Sequence, residues 1–255
     1  MSIDPPAFLD HDPPLPIAHR GGAQEVEENT LPAFAHAVGL GYGHVELDVH
    51  ATRDGEVVVH HDPTLERMTG DPRGVAELNW SQLCALRTRG GAEIPRLASV
   101  LETFPDLCLT IEVKSDAAVE PLADVIRRTG ALGRVCVGAF SAVRTRRLRA
   151  LMGDGLIWSP AHAGVARLWL RGWGLPVQTG DFRLVQVPLT FRGVPVVTPR
   201  FIRAAHQTGI RVQVWTVDEE REMERLLDMG VDGIMTDRPS LLKEVLIRRG
   251  QWRGA

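Results

Sequence analysis

Short runs of β-branched and apolar residues recur along the chain. Each is followed by a stretch whose apolar positions repeat every three or four residues. The strand candidates are LPIAHRG (15–21), HVELDVHA (44–51), LCLTIEV (107–113), RVCVGAF (134–140), GLIWSPA (155–161), FRLVQVPL (182–189), RVQVWTV (211–217) and VDGIMTD (231–237). Runs with these boundaries, spaced by helix-length patterns, predict parallel βαβ units. The helices between them carry readable ends. Thr30 reads as an N-cap, with Leu31, Phe34, Ala35 and Val38 on one apolar face. Thr198 reads as a cap before Pro199, with Gly209 as the stop. Asp218 is expected to cap a helix whose first turn holds Glu219 and Glu220, whose buried face is Met223, Leu226 and Leu227, and which ends at Gly230.

Roughly eight strand–helix units over about 240 residues predict an α/β fold of the (β/α)8 TIM-barrel type. The alternative, an open doubly wound sheet, lacks a G-x-G-x-x-G after its first strand. Asp54-Gly55 between two alternating runs predicts a hairpin into EVVVHHD (56–62). Residues 63–95 fit neither a barrel strand nor a barrel helix and read as a small insertion after the second strand, on the loop side. Pro5, Pro6, Pro13 and Pro14 oppose a helix at the start, so 1–14 is expected to be an extended arm and 15–255 a single domain.

Composition narrows the class. The chain has 255 residues, with Lys+Arg 29 against Asp+Glu 32 and a formal net charge of −3. That balance argues against a nucleic-acid partner held by a broad basic surface. Cys84, Cys108 and Cys136 are odd in number and far apart, giving neither a metal-spaced cluster nor a disulfide framework. The expectation is reduced thiols in a cytoplasmic protein, with no stable membrane insertion, because no signal segment or spanning apolar run is present. Oligomeric state is left open.

The chemistry gathers at predicted strand ends. His19 and Arg20 end the first strand; Glu46 and Asp48 share one face of the second; Glu112 and Lys114 share one face of the third. Unpaired carboxylates crowded at a barrel mouth resist ionisation, and a divalent cation resolves the conflict. An all-oxygen set suits Mg²⁺ or Ca²⁺. Arg20 and Lys114 add positive charge for phosphate, and two histidines offer acid and base near neutral pH. Together these point to metal-assisted phosphodiester chemistry. Taken singly, an E-x-D pair or a buried histidine is more often structural. His36, His162 and His206 read as structural or solvated, and His60 as facing away from its neighbour His61. His50 shares a face with Glu46 and Asp48 and is a candidate to approach the site. The Arg144, Arg146, Arg147, Arg149 run reads as a solvated helix face. Trp169 and Trp173 read as packing, with an apolar lip for a lipid-like substrate as the alternative.

AHRG (18–21), ENT (28–30), ELDV (46–49), T-x-D-G (52–55), HDPTLERMTG (61–70), IEVK (111–114) and VWTVD…MGVDGIMTDRP (214–239) make an ordered set that resembles the glycerophosphodiester phosphodiesterase family. The resemblance runs from Pro16 to Pro239. It implies a TIM barrel with a small insertion after the second strand, and a metal-dependent hydrolase that releases glycerol 3-phosphate and an alcohol from a small-molecule phosphodiester. It places the catalytic histidines on His19 and His61 and the metal carboxylates on Glu46, Asp48 and Glu112. Arg20 and Lys114 match the basic residues on the phosphate, Glu28 a site-ordering residue, and Trp215 a pocket aromatic. The nucleophile, water or the substrate's own 2-hydroxyl, stays open, as does which histidine acts as acid. Two alternatives remain: a lysophospholipase D-like enzyme with Trp158, Trp169, Trp173 and residues 63–95 as an apolar wall, and a phosphodiester-binding module without turnover. A metal-dependent barrel lyase or isomerase is a more remote reading, because it leaves Arg20 and the paired histidines without a task.

Overall fold

The computed structural model of the protein describes residues 7–254. After a 3₁₀ turn at Ala7–Leu9 come β1 (Leu15–His19), α1 (Leu31–Gly39), β2 (His44–Ala51) and β3 (Val57–Val59). Two single-turn helices follow, α2 (Glu66–Thr69) and α3 (Trp80–Leu83), then α4 (Leu97–Thr103), β4 (Cys108–Val113), α5 (Val119–Arg128), β5 (Val135–Gly138), α6 (Ala142–Met152), β6 (Ile157–Trp158) and α7 (His162–Gly172). The last third holds β7 (Leu184–Pro188), a small hairpin of β8 (Thr190–Phe191) and β9 (Val194–Pro195), α8 (Pro199–His206), β10 (Arg211–Trp215), α9 (Glu220–Asp228), β11 (Gly233–Thr236) and α10 (Pro239–Arg248).

Eight of these strands run parallel in the order β6-β5-β4-β2-β1-β11-β10-β7, so the first and last barrel strands are neighbours and the sheet winds into a TIM barrel. Every residue of β2 is buried, as a strand covered on both faces requires. The helices pack outside the sheet over Leu47, Val49, Ile111, Val137 and Leu122 on one side and Val185, Val212, Val214, Phe201 and Leu226 on the other. Among the described residues no strand ladder joins β6 to β7. The seam is held instead by the backbone N–H of Gln186, which donates to Ser159 Oγ at 3.0 Å. The expected hairpin forms, with β3 antiparallel to the end of β2, Val49 opposite Val59. Residues 63–95 wrap a small core of their own around Val58, Leu65, Val75, Leu78, Leu83 and Ile94.

Four local expectations need correction. The described part of the opening arm is not extended: its 3₁₀ turn drops Phe8 into the barrel floor among Cys108, Cys136, Ile157 and Leu184. An aromatic ring there covers apolar strand starts that water would otherwise wet. The buried face of α1 is Ala33, Phe34 and Ala37, while Val38 is exposed, because the helix lies over the sheet one position round from the predicted stripe. Thr30 and Thr198 do cap their helices, accepting from the N–H of Ala33 and of Phe201. Asp218 does not. Its carboxylate accepts from Asp237 N–H at 2.8 Å and Thr236 Oγ1 at 3.0 Å, pinning the end of β11. The arginines of α6 are not simply solvated either. Arg144 pairs with Asp116, Arg147 with Glu120 and Arg149 with Asp181.

Candidate active site

The interior is layered. Apolar residues fill the floor, and above them Gln186 Nε2 donates to Thr110 Oγ1 at 3.0 Å and to Gln213 Oε1 at 2.9 Å. Above that polar layer, at the C-terminal strand ends, lie the acids. Strand register brings them together: Asp48 sits beside Glu112 on β4, and Glu46 beside His19 on β1. One oxygen from each of Glu46, Asp48 and Glu112 lies within 4.8 Å of the others.

The turn after β1 is built for close approach. Arg20 (φ 51) and Asn29 (φ 58) both occupy the left-handed region, which is uncommon outside glycine and concentrates at functional sites. Gly21 (φ 85) and Gly22 (φ 110) follow Arg20, and a Cβ on either would stand 2.7 Å from Ala33 Cβ or Pro239 Cγ. This fold of the chain lets Arg20 N–H donate to Glu46 Oε2 at 3.2 Å and Asn29 Nδ2 to Asp48 Oδ2 at 2.9 Å.

Charge is arranged unevenly among the acids. Burial, with Asp48 alongside, raises Glu46 to about 8. Burial pushes Asp48 the same way, but Lys114 Nζ at 3.0 Å and Arg20 Nε at 3.2 Å outweigh it and hold its carboxyl below the usual range. Lys114 also reaches Glu112 Oε2 at 2.9 Å. Asp48 Oδ1 is buried and faces the Lys114 ammonium. Three converging oxygen donors, one of them reluctant to ionise, fit a hard divalent cation.

His19 and His61 flank the acids. His19 Nδ1 is 2.6 Å from Asp237 Oδ1, leaving Nε2 toward Glu46 Oε2 at 3.7 Å. Burial works against the imidazolium, yet Glu46 and Asp237 raise the His19 pKa overall. His61 Nδ1 is 2.6 Å from Asp62 Oδ1. Arg67 then links Asp62 to Glu28, donating at 2.6 Å to each, and Arg20 Nη1 donates to the same Glu28 oxygen at 3.1 Å. Burial opposes the Asp62 carboxylate, but Arg67 and His61 hold it down at about 2.

Six of these groups open into one cavity of about 710 Å³, with Asp48, Asp62 and Asp237 set behind them. His19, Arg20, Glu46, His61, Glu112 and Lys114 line its polar end, and Trp215 its wall. The rest is apolar: Phe140 from the loop after β5, Val165 and Trp169 from α7, and Phe191 and Val194 from the small hairpin. Of the predicted apolar wall only Trp169 lines the cavity. Trp158 packs edge-on against Phe182, Trp173 is turned to solvent, and residues 63–95 contribute no lining residue among those described. The hairpin and α7 take their place because they follow the strand ends nearest the open seam. His60 faces away, bonding Thr64 O, as strand alternation requires. His50 does not enter the cavity. Its Nε2 donates to the His61 carbonyl at 3.1 Å and holds that loop from behind. Sequence reasoning missed Asp237, Asp62 and Arg67; only the adjacency of Asp62 to His61 gave a usable signal.

Residues 19–241 match the model of the Glycerophosphoryl diester phosphodiesterase family. The chain belongs to this family. It is 40% identical to the protein named "Probable glycerophosphodiester phosphodiesterase 2" of Mycobacterium tuberculosis, across 97% of this chain and 96% of that one. It is also 29% identical to Lysophospholipase D GDPD1 of Rattus norvegicus, over 90% of this chain and 85% of the relative. Its fold superposes on the crystal structure of a glycerophosphodiester phosphodiesterase from Parabacteroides distasonis with a TM-score of 0.77, at 24% identity, covering 93% and 98% of the two chains. The motifs that placed the chain near this phosphodiesterase family supply the polar end of the cavity. Among the described residues no helix is long and apolar enough to cross a membrane.

Proposed function

We propose that the chain hydrolyses glycerophosphodiesters to glycerol 3-phosphate and an alcohol, with His19 and His61 moving the protons. The observation that carries this is the pair of imidazoles, each oriented by its own aspartate at 2.6 Å, reaching one cavity from either side of the acid cluster. One imidazole takes the proton of the nucleophile, water or the substrate's own 2-hydroxyl, and the other protonates the departing alkoxide; the 2-hydroxyl route closes a cyclic phosphate that water then opens to glycerol 3-phosphate. Arg20 and Lys114 supply fixed positive charge beside the phosphoryl oxygens, already oriented by Glu28, Asp48 and Glu112. Glu46, Asp48 and Glu112 would hold Mg²⁺ or Ca²⁺, which supplies Lewis-acid neutralisation of charge building on those oxygens. Trp215 stacks along the wall and fixes the orientation of the glycerol end.

The test is release of glycerol 3-phosphate from glycerophosphocholine. Chelation abolishes it, and adding back Mg²⁺ or Ca²⁺ restores it. His19→Ala and His61→Ala each lower kcat by roughly 10²–10⁴-fold. Full turnover in both variants overturns the assignment.

A second reading shares the chemistry and extends the substrate. The apolar end of the cavity, from Phe140 through Trp169 to Phe191 and Val194, suits an acyl chain on the leaving alcohol side. A single-chain lysophospholipid would then compete with the water-soluble diester, as the name of the rat relative suggests for that protein. Comparing kcat/KM for lysophosphatidylcholine and glycerophosphocholine decides between them.

A further inference from the structure

We propose that the barrel floor, at the opposite end from the acids, holds a second metal site built by His11, His44 and Cys108 and selective for a borderline or soft transition ion such as Zn²⁺. His44 and Cys108 are the first residues of two adjacent parallel strands, and the ladder sets them directly side by side. Both are buried, at 2% and 3% exposure. The opening segment crosses beneath them and delivers His11, whose ring meets that of His44 edge-on with centroids 4.2 Å apart at 88°. One ligand atom from each of the three lies within 4.8 Å of the others.

The state of His44 points to a ligand. Its ring hydrogen bonds the backbone of Phe8, while Nε2 is buried with no hydrogen-bond partner among the described residues. A histidine anchored through one nitrogen to the backbone, with the other left bare, is the arrangement that metal-binding imidazoles adopt. Leaving such a nitrogen dry otherwise costs free energy with no return. The donor set also differs in kind from the one at the barrel mouth. Two imidazoles and a thiol favour Zn²⁺ and its neighbours, where three carboxylates favour Mg²⁺ or Ca²⁺. Binding releases the Cys108 thiol proton to solvent as the sulfur–metal bond forms, and a fourth position stays open to water. Burial pushes the Cys108 thiol up to about 11, which the nearby Arg134 guanidinium opposes only in part, so the bound ion itself has to draw off the proton. The composition hid this site, because His11, His44 and Cys108 share no local spacing and are joined only by the fold.

The experiment uses the full chain as Cys84→Ser, which removes the exposed thiol, with excess Mg²⁺ present to fill the acid cluster. Co²⁺ is the probe. One equivalent is expected to give a thiolate-to-cobalt charge-transfer band that Zn²⁺ displaces, and Zn²⁺ is expected to raise Tm. Cys108→Ser and His11→Ala each abolish the band. His11→Ala keeps the far-UV spectrum and the glycerophosphodiester turnover, since His11 lies outside every strand and away from the barrel mouth. A missing band, or one that survives His11→Ala, overturns the proposal.

Discussion

At the residue scale, His19 and His61 are each held by a carboxylate that does not itself line the cavity. Asp237 lies 218 positions from His19 in the chain, and the two meet only because β1 and β11 are paired. Asp237→Asn keeps the shape but no longer stabilises the imidazolium or fixes the tautomer. A kcat loss of roughly 10²–10⁴-fold is expected, with KM little changed and whichever limb of the pH profile His19 sets moved to lower pH, because the His19 pKa falls. Steady-state kinetics across pH checks this; an unchanged profile assigns Asp237 to packing alone. Asp62 differs, since Arg67 shares it. Arg67→Ala frees both Asp62 and Glu28, and is expected to weaken His61 and Arg20 together. The histidines, Arg20, Lys114 and the three acids were legible in the sequence because they stand in local motifs. Asp237 stood in a motif too, but nothing in its neighbourhood disclosed which ring it would meet.

At the element scale, all eight barrel strands fall inside the runs read from the sequence, β2 to the residue and β6 as only two of seven positions, because parallel strands buried on both faces leave continuous apolar runs whose ends carry on into the loops. Helix starts with Thr before Pro were equally plain. Asp218 misled because a carboxylate before an acidic turn looks like a cap, while the nearby N–H of Asp237 offered a better partner. The apolar wall could not be read at all. Its residues, Phe140, Trp169, Phe191 and Val194, come from three separate elements that only barrel curvature brings together. Phe191 and Val194 sit on a two-rung hairpin, partly open to solvent. Phe191→Ser with Val194→Ser removes apolar surface from that lip at about 25 cal/mol per Å². The double variant is expected to raise KM for lysophosphatidylcholine by roughly 10-fold and to leave glycerophosphocholine unaffected. An equal change on both substrates would show that the hairpin shapes the cavity generally and does not hold a chain.

At the scale of the whole molecule, two sets of buried titrating groups pull stability in opposite directions. Glu46, raised to about 8 from an ordinary value near 4.5, binds a proton in the folded chain more readily than in the unfolded one. Its contribution is therefore full below about pH 4.5 and lost as pH rises through about 8. A divalent cation opposes that loss, so the gain in Tm on adding Mg²⁺ or Ca²⁺ is expected to be larger at about pH 8.5 than at about pH 6. Thermal scans with and without the ion test it, and a gain independent of pH contradicts it. The histidines act the other way. Burial lowers His44 to about 3 and His50 to about 4, and lowers His60 as well. Each is neutral in the fold and charges first in the unfolded chain. Their contribution is present above about pH 6.5 and drains away as pH falls, by up to about 1.4 kcal/mol per pH unit for each. Urea titrations at stepped acid pH, read by circular dichroism, are expected to show that decline beginning near pH 6.5.

Among the described residues seven strand pairings hold the cylinder, and the eighth junction, between Trp158 and Leu184, has no ladder and is bridged by the Gln186 N–H on Ser159, by the Trp158 and Phe182 rings and by the Arg149–Asp181 pair. The barrel is in effect a ribbon rolled until its hems touch, and a hem is where such an object is cheapest to unpick. A protease cut between 174 and 181 would fall beside that hem and sever no strand ladder. The two fragments are expected to co-purify as one folded, active particle, held together by the ladder between β1 and β11.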